Sequence, residues 1–88
     1  MRKNEVKLLL AKTIRNAVLK EKEAGLKIEK IIETINDKGI NRNMIKATIR
    51  SGNAGFYFED DPNGEKKAKA IEKVCNWIDA NLPRATRK

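Results

Sequence analysis

The spacing of isoleucine over residues 27–52 constrains the fold of this chain more than any other feature of its sequence. Two groups of apolar residues recur there at every third or fourth position, and Gly39 lies between them. The groups are Ile28, Ile31, Ile32 and Ile35, then Met44, Ile45 and Ile49. Because residues three or four apart share one face of an α-helix, this spacing predicts two short amphipathic helices over 27–38 and 42–51, joined by a tight turn. We expect Gly39 to end the first helix, Ile40 to act as an apolar plug between the two, and Asn41 to be the N-cap of the second.

Two longer amphipathic segments flank this pair. Apolar residues at helical spacing predict one helix over 5–23, closed by Gly25, and another over 65–81. A chain of 88 residues is long enough for one domain. The sequence therefore predicts an all-α, four-helix single domain over 1–88, with a central helix-turn-helix at about 27–52. The expected core isoleucines are Ile31, Ile35, Ile45, Ile49, Ile71 and Ile78.

Composition excludes several kinds of site. The chain has no histidine and a single cysteine, Cys75, so it lacks the usual zinc ligand sets and the commonest general base. It also has no glycine-rich phosphate loop. We therefore predict no enzymatic activity, no metal site and no cofactor. The longest apolar run, 8–11, is far shorter than the roughly 20 residues of a membrane span, so we expect a soluble, cytoplasmic protein without a membrane partner.

The charge balance favours a polyanionic partner. The chain has 20 Lys and Arg residues against 12 Asp and Glu residues, a formal net charge of +8. Residues 83–88 add a basic C-terminal tail. Neutralisation of phosphates supplies most of the non-specific affinity of proteins for nucleic acid. A basic surface is also common in small domains that bind no nucleic acid, so net charge alone leaves both interpretations open.

The predicted helix over 42–51 is the candidate nucleic-acid-binding element. No acidic residue occurs between Asp37 and Glu59. We expect the basic and polar side chains of this helix to share one outward face. The candidate DNA-binding residues are Arg42, Asn43, Lys46, Ala47 and Arg50, with Lys30 from the preceding helix.

These residue types suit recognition of a DNA groove. An asparagine side chain can bond the N6 and N7 atoms of adenine, which makes Asn43 the candidate for base readout. Arginine can bond the O6 and N7 atoms of guanine, but Arg42, Lys46 and Arg50 could equally contact phosphates. The alternative is an ordinary solvated helix face, which the lack of interspersed acidic residues disfavours.

Residues 27–52 resemble the helix-turn-helix of the λ repressor-like proteins, a group of small phage and plasmid regulators. The residues that carry the resemblance are Ile28–Ile35, Gly39, Ile40, Ile45 and Ile49. The resemblance covers about 25 of the 88 residues. It implies that helix 42–51 enters the major groove, and that the protein binds its sites as a dimer.

Two functional hypotheses stay open. The first is a sequence-selective protein that binds double-stranded DNA, a small transcriptional regulator that forms a homodimer through its first or last helix. The second is a small basic interaction module or inhibitor, which binds another protein through the aromatic and acidic segment 56–61. Composition does not separate DNA from RNA as the nucleic acid.

Overall fold

Four α-helices and no strand form the regular structure of the described residues, which in this computed structural model are 2–20, 26–52, 54–55 and 58–83. The helices are α1 (Lys3–Leu19), α2 (Ile28–Lys38), α3 (Arg42–Arg50) and α4 (Glu65–Asn81). The prediction of an all-α, four-helix domain is confirmed. The observed bounds of α2 and α3 differ from the predicted ones by one residue, and those of α4 agree.

Helix α1 differs most from its predicted bounds. It begins at Lys3, two residues earlier, because the Glu5 carboxylate accepts a 2.8 Å hydrogen bond from the backbone N–H of Arg2 and so satisfies a donor at the helix start. It ends at Leu19, and Lys20 forms a turn. The rest of the predicted helix and its predicted terminator, Gly25, fall in 21–25, outside the described residues.

Gly39 fixes the turn that follows α2. Its φ of 68° lies in the left-handed region, which glycine adopts without a steric cost. The N–H of Ile40 donates to the carbonyl of Ile35 at 2.9 Å, and the N–H of Gly39 donates to the carbonyl of Asn36 at 3.4 Å. This pair of bonds is the Schellman motif, and it closes α2. Ile40 is fully buried, as predicted for an apolar plug between the two helices.

Asn41 starts α3 directly after this turn. Its side-chain oxygen accepts a 3.0 Å hydrogen bond from the backbone N–H of Met44. The predicted N-cap is therefore confirmed, since this bond satisfies one of the donors that a helix start leaves unpaired. The chain thus passes from α2 to α3 in three residues, and both ends of the turn are held by local hydrogen bonds.

The inner faces of all four helices form one apolar core. Its largest fully buried side chains are Ile14, Val18, Ile35, Ile40, Ile45, Ile49, Val74 and Ile78. Five of the six predicted core isoleucines are buried, and the prediction is wrong only for Ile71, which is half-buried. The buried row of α4 runs through Ala70, Val74 and Ile78, so Ile71 lies at the edge of the core.

Helix α3 packs against both α1 and α4, and these two helices also pack against each other. The main partner of α2 is α1. Two flanks of α3 are therefore covered by neighbouring helices, and a single stripe of its surface is left to solvent. This packing determines which of the candidate side chains can reach a ligand.

Candidate nucleic-acid interface

The exposed surface of α3 is a stripe formed by Asn43, Ala47 and Arg50, which we call the outer stripe. The inner face of the helix is set by Ile45 and Ile49, both fully buried. At about 100° per residue, the outer stripe lies on the far side of the helix from these isoleucines. All three of its residues are exposed. The side chains of Asn43 and Arg50 form no hydrogen bond or ion pair within the described part of the chain.

Arg42 and Lys46 do not face outward, which corrects the prediction made from the sequence. Both pack against the C-terminal part of α4, where the carboxylate of Asp79 pairs with each of them. The Lys46 Nζ atom lies 2.7 Å from Asp79 Oδ1, and the Arg42 Nε atom lies 3.4 Å from the same oxygen. The Lys46 and Arg42 side chains are only 13% and 21% exposed.

Arg42 is held by the backbone of α4 as well as by Asp79. Its Nη1 atom donates to the carbonyl oxygens of Asp79 and Leu82, both at 3.1 Å. Because the last carbonyls of a helix lack intrahelical partners and carry partial negative charge, a guanidinium stabilises this helix end. Arg42 therefore serves as a structural cap on α4.

The geometry of α3 explains why the prediction that Arg42 and Lys46 face outward was wrong. At about 100° per residue, Arg42 and Lys46 lie about 40° and 80° from the centre of the buried face, so they lie on its flank. The covering helix supplies Asp79, more than 30 residues later in the chain. The hydrogen bond from Lys46 lowers the pKa of the Asp79 carboxyl below its ordinary value, and attraction to Arg42 and Arg50 adds to this effect. The carboxylate therefore stays charged at neutral pH.

Asp79 is the important residue that the sequence analysis missed. A signal for it was present, because Asp79 follows buried Cys75 by four positions and half-buried Ile71 by eight. Residues four apart share a helix face, so Asp79 continues the row of α4 that faces its neighbour. A carboxylate in such a row indicates a cation on the facing helix.

Two lysines of α1 add positive charge on the other side of α3. Lys7 lines a shallow depression that it shares with Thr48 of α3. Lys3 reaches the α2–α3 turn, since a Cβ atom placed on Gly39 would lie 3.9 Å from its Nζ atom. Lys3 is exposed and Lys7 is half-buried. No local sequence pattern predicts these two positions, because they depend on how α1 crosses α3.

Lys30 does not extend this basic surface. It lies on the outer face of α2, with its Nζ atom 3.9 Å from Glu33 Oε1, and both side chains are about three-quarters exposed, at 75% and 74%. Glu29 and Asp37 are exposed on the same face at four-residue spacing from Glu33. The acidic residues around Lys30 compensate its charge, so this face of α2 does not favour contact with phosphates.

The segment 56–61 is only partly described. Phe56 and Tyr57 lie outside the described residues, and Phe58 is half-buried against the core. The Asp61 carboxylate accepts hydrogen bonds from the backbone N–H groups of Lys66, at 2.8 Å, and Lys67, at 3.0 Å. The first of these bonds is the main reason that the pKa of Asp61 is lowered. Asp61 is therefore engaged at the start of α4, and protein binding through this segment stays a prediction.

Other kinds of site find little support within the described ranges. There, no cluster of three or more His, Cys, Asp or Glu side chains is arranged to hold a metal ion. In the same residues, no helix combines the length and apolar character needed to cross a membrane. Cys75 is buried, and this burial raises the pKa of its thiol. The reactive thiolate form is thereby disfavoured.

Comparison with known proteins does not assign this chain to a family. No family model, no curated protein and no solved structure matches it. The resemblance of residues 27–52 to the λ repressor-like proteins, and a role in transcription, accordingly stay predictions.

Proposed function

We propose that this protein binds double-stranded DNA in a sequence-selective way, through the outer stripe of α3. The observation that carries this proposal is that two side chains suited to base readout, Asn43 and Arg50, are exposed and form no hydrogen bond or ion pair among the described residues. They lie on a helix whose opposite face is fully buried through Ile45 and Ile49. A rigidly held helix with polar groups on its free face is suited to entering the major groove.

The dimensions of the outer stripe fit a short contact with a groove. From Asn43 to Arg50 the helix rises about 10 Å, which matches about three base pairs of duplex DNA at roughly 3.4 Å each. The major groove is about 12 Å wide and admits one α-helix. Ala47, between the two polar residues, is small enough to let the helix approach closely, and its methyl group can contact the methyl group of thymine.

Phosphate contacts would come from a cation within the outer stripe and from two lysines of α1. Arg50 lies within the stripe, Lys7 borders α3 beside Thr48, and Lys3 lies against the α2–α3 turn. With Arg42 and Lys46 held by α4, these three cations supply a modest electrostatic contribution. The slope of log affinity against log salt concentration is then about −1.8 for the two lysines alone, and about −2.7 when Arg50 contacts a phosphate rather than a base.

A dimer is part of this proposal. Contact with about three base pairs supplies little discrimination, because each base pair contributes roughly 1–3 kcal/mol. Two copies bound to half-sites about one DNA turn apart would double the sequence that is read. The resemblance to the λ repressor-like proteins supports the same arrangement and a role as a small transcriptional regulator.

The proposal is tested by selecting preferred sequences from a random duplex library and then measuring affinity at two salt concentrations. Asn43→Ala should relax the preference at one base pair by roughly 1–3 kcal/mol, and Arg50→Ala should weaken binding or relax a second position. Lys69→Ala is the matched control, since Lys69 is an exposed lysine on α4. Lack of any consensus, or Asn43 and Arg50 variants that bind like the wild type with an intact fold, would contradict the proposal. Tighter binding of single-stranded RNA would also contradict it.

A further inference from the structure

Two cations of α3 converge on the carboxylate of Asp79, but they are not held equally. Arg42 keeps hydrogen bonds to two backbone carbonyls of α4 besides its ion pair. Lys46 has one partner among the described residues, Asp79, which it contacts through a 2.7 Å hydrogen bond and ion pair. Loss of the Asp79 charge would therefore remove the ion pair of Lys46 and weaken its hydrogen bond, whereas Arg42 would keep both of its bonds to the backbone.

A released Lys46 would lie beside the proposed interface. It precedes Arg50 by four residues, one helical turn, and the two residues lie about 40° apart around the helix axis. The lysine side chain is a flexible four-carbon chain that ends in a compact charge, so it can turn from the flank of a helix toward a nearby phosphate. Arg50 and Asp79 also line one shallow depression, which places the carboxylate at the margin of the outer stripe.

We propose that Asp79 is a positioning residue that limits the charge-driven part of DNA binding by holding Lys46 away from the phosphate backbone. This inference rests on the proposed function, and it identifies a residue that sets the charge-driven affinity of that interface for DNA. Asn43 forms no hydrogen bond or ion pair with Asp79 among the described residues, so the base preference set by Asn43 is independent of the ion pair. Asp79 thus controls the strength and salt dependence of binding, and Asn43 controls the base preference that does not depend on Asp79.

The variant Asp79→Asn should bind all duplex sequences more tightly, with an unchanged consensus. One added phosphate contact makes the slope of log affinity against log salt more negative by about 0.9. The ratio of variant to wild-type affinity should then grow about 3.5-fold when the salt concentration falls from about 200 mM to about 50 mM. The probes are two duplexes of about 20 base pairs, one with the selected sequence and one with that sequence scrambled.

Lys46→Gln separates release of this lysine from a general change in charge. In the wild-type background Lys46 is withheld, so Lys46→Gln should leave the salt slope unchanged. In the Asp79→Asn background it should abolish the gain in slope. The matched control is Glu72→Gln, since Glu72 is an exposed acid of α4 in the same depression, with no ion pair among the described residues. In the Glu72→Gln background, Lys46→Gln should leave the salt slope unchanged, as it does in the wild-type background.

The possible outcomes separate this inference from the proposed function. In one outcome the wild-type protein has a preferred sequence, Arg50→Ala weakens binding to that sequence, and Asp79→Asn has the same salt slope as the wild type. This outcome would overturn the inference and leave the proposed function standing. Lack of any consensus would overturn the proposed function, whatever Asp79→Asn does. If Asp79→Asn does not fold, the salt slope of the Lys46→Gln single variant tests the inference instead. A slope less steep by about 0.9 would show that Lys46 already contacts phosphate and would overturn the inference, whereas an unchanged slope supports it.

Discussion

Replacement of Ile45 by alanine should destabilise this protein much more than the same replacement of Ile71. The sequence predicts both isoleucines to be buried. In the structure Ile45 is 0% exposed on the inner face of α3, whereas Ile71 is half-buried at the edge of α4. The two substitutions are chemically identical and both lie within helices, so their gain in helix propensity cancels in the comparison.

The expected difference follows from burial. The substitution removes three carbon atoms, and at about 0.8 kcal/mol for each fully buried methylene this lowers the free energy of unfolding by about 2.4 kcal/mol at Ile45. The cavity left in a packed core adds to this loss, which gives about 3–4 kcal/mol within the usual range of 2–5. At Ile71 the removed atoms are only partly buried and solvent fills the space, so no cavity remains and we expect a smaller loss of about 1.5–2 kcal/mol.

The measurement is urea unfolding followed by circular dichroism at 222 nm, with both variants compared with the wild type by linear extrapolation. A loss below about 0.5 kcal/mol at Ile45, or equal losses at the two positions, would contradict the rotational phase of α3. The assignment of Asn43, Ala47 and Arg50 to the exposed side depends on that phase, so this result would also remove the proposed interface.

Three further predictions concern the turn, the acidic residues and the thiol. Gly39→Ala should lower the free energy of unfolding by about 1–2 kcal/mol, measured in the same urea assay, because the left-handed φ of 68° is strained for alanine, while the added Cβ would meet only the Lys3 side chain at 3.9 Å. Asp61 and Asp79 have a folded-state pKa below the ordinary value of 3.8, so their contribution to stability is present above that pH and is lost as the pH falls through the lower folded-state pKa. Replacement of either by asparagine should flatten the loss of stability between about pH 5 and pH 2, measured by urea unfolding at several pH values. Cys75 should react with a thiol reagent only as fast as the protein unfolds, because it is buried and its pKa is raised, and fast labelling of the native protein would contradict its position in the core.

The local features of this fold could be predicted because their causes are local. Gly39, Ile40 and Asn41 have the roles expected of them, since a left-handed glycine, an apolar plug and a side-chain cap are each decided within a few residues. The bounds of α4 were predicted for the same reason, since they follow from helical spacing within one segment.

The features that could not be predicted depend on which helices become neighbours. Arg42 and Lys46 resemble free cations in a stretch of sequence without acids, but α4 brings Asp79 against them. Lys3 gains its place beside the α2–α3 turn only because α1 crosses there. Helical spacing around a single axis indicates which face is apolar, but it does not identify the side chains of the next helix. The candidate site is therefore smaller than the sequence predicts, and it is restricted to the outer stripe of α3.

The most direct test of the proposed interface is a titration of the ¹⁵N-labelled protein with the selected duplex, followed by two-dimensional NMR. The proposal predicts the largest chemical-shift changes at Asn43, Ala47 and Arg50, including the side-chain amide of Asn43. Only small changes are expected on the outer face of α4, where Lys69 and Lys73 are exposed. Changes centred on Lys69 and Lys73, with the outer stripe unaffected, would contradict the account and move nucleic-acid binding to another surface.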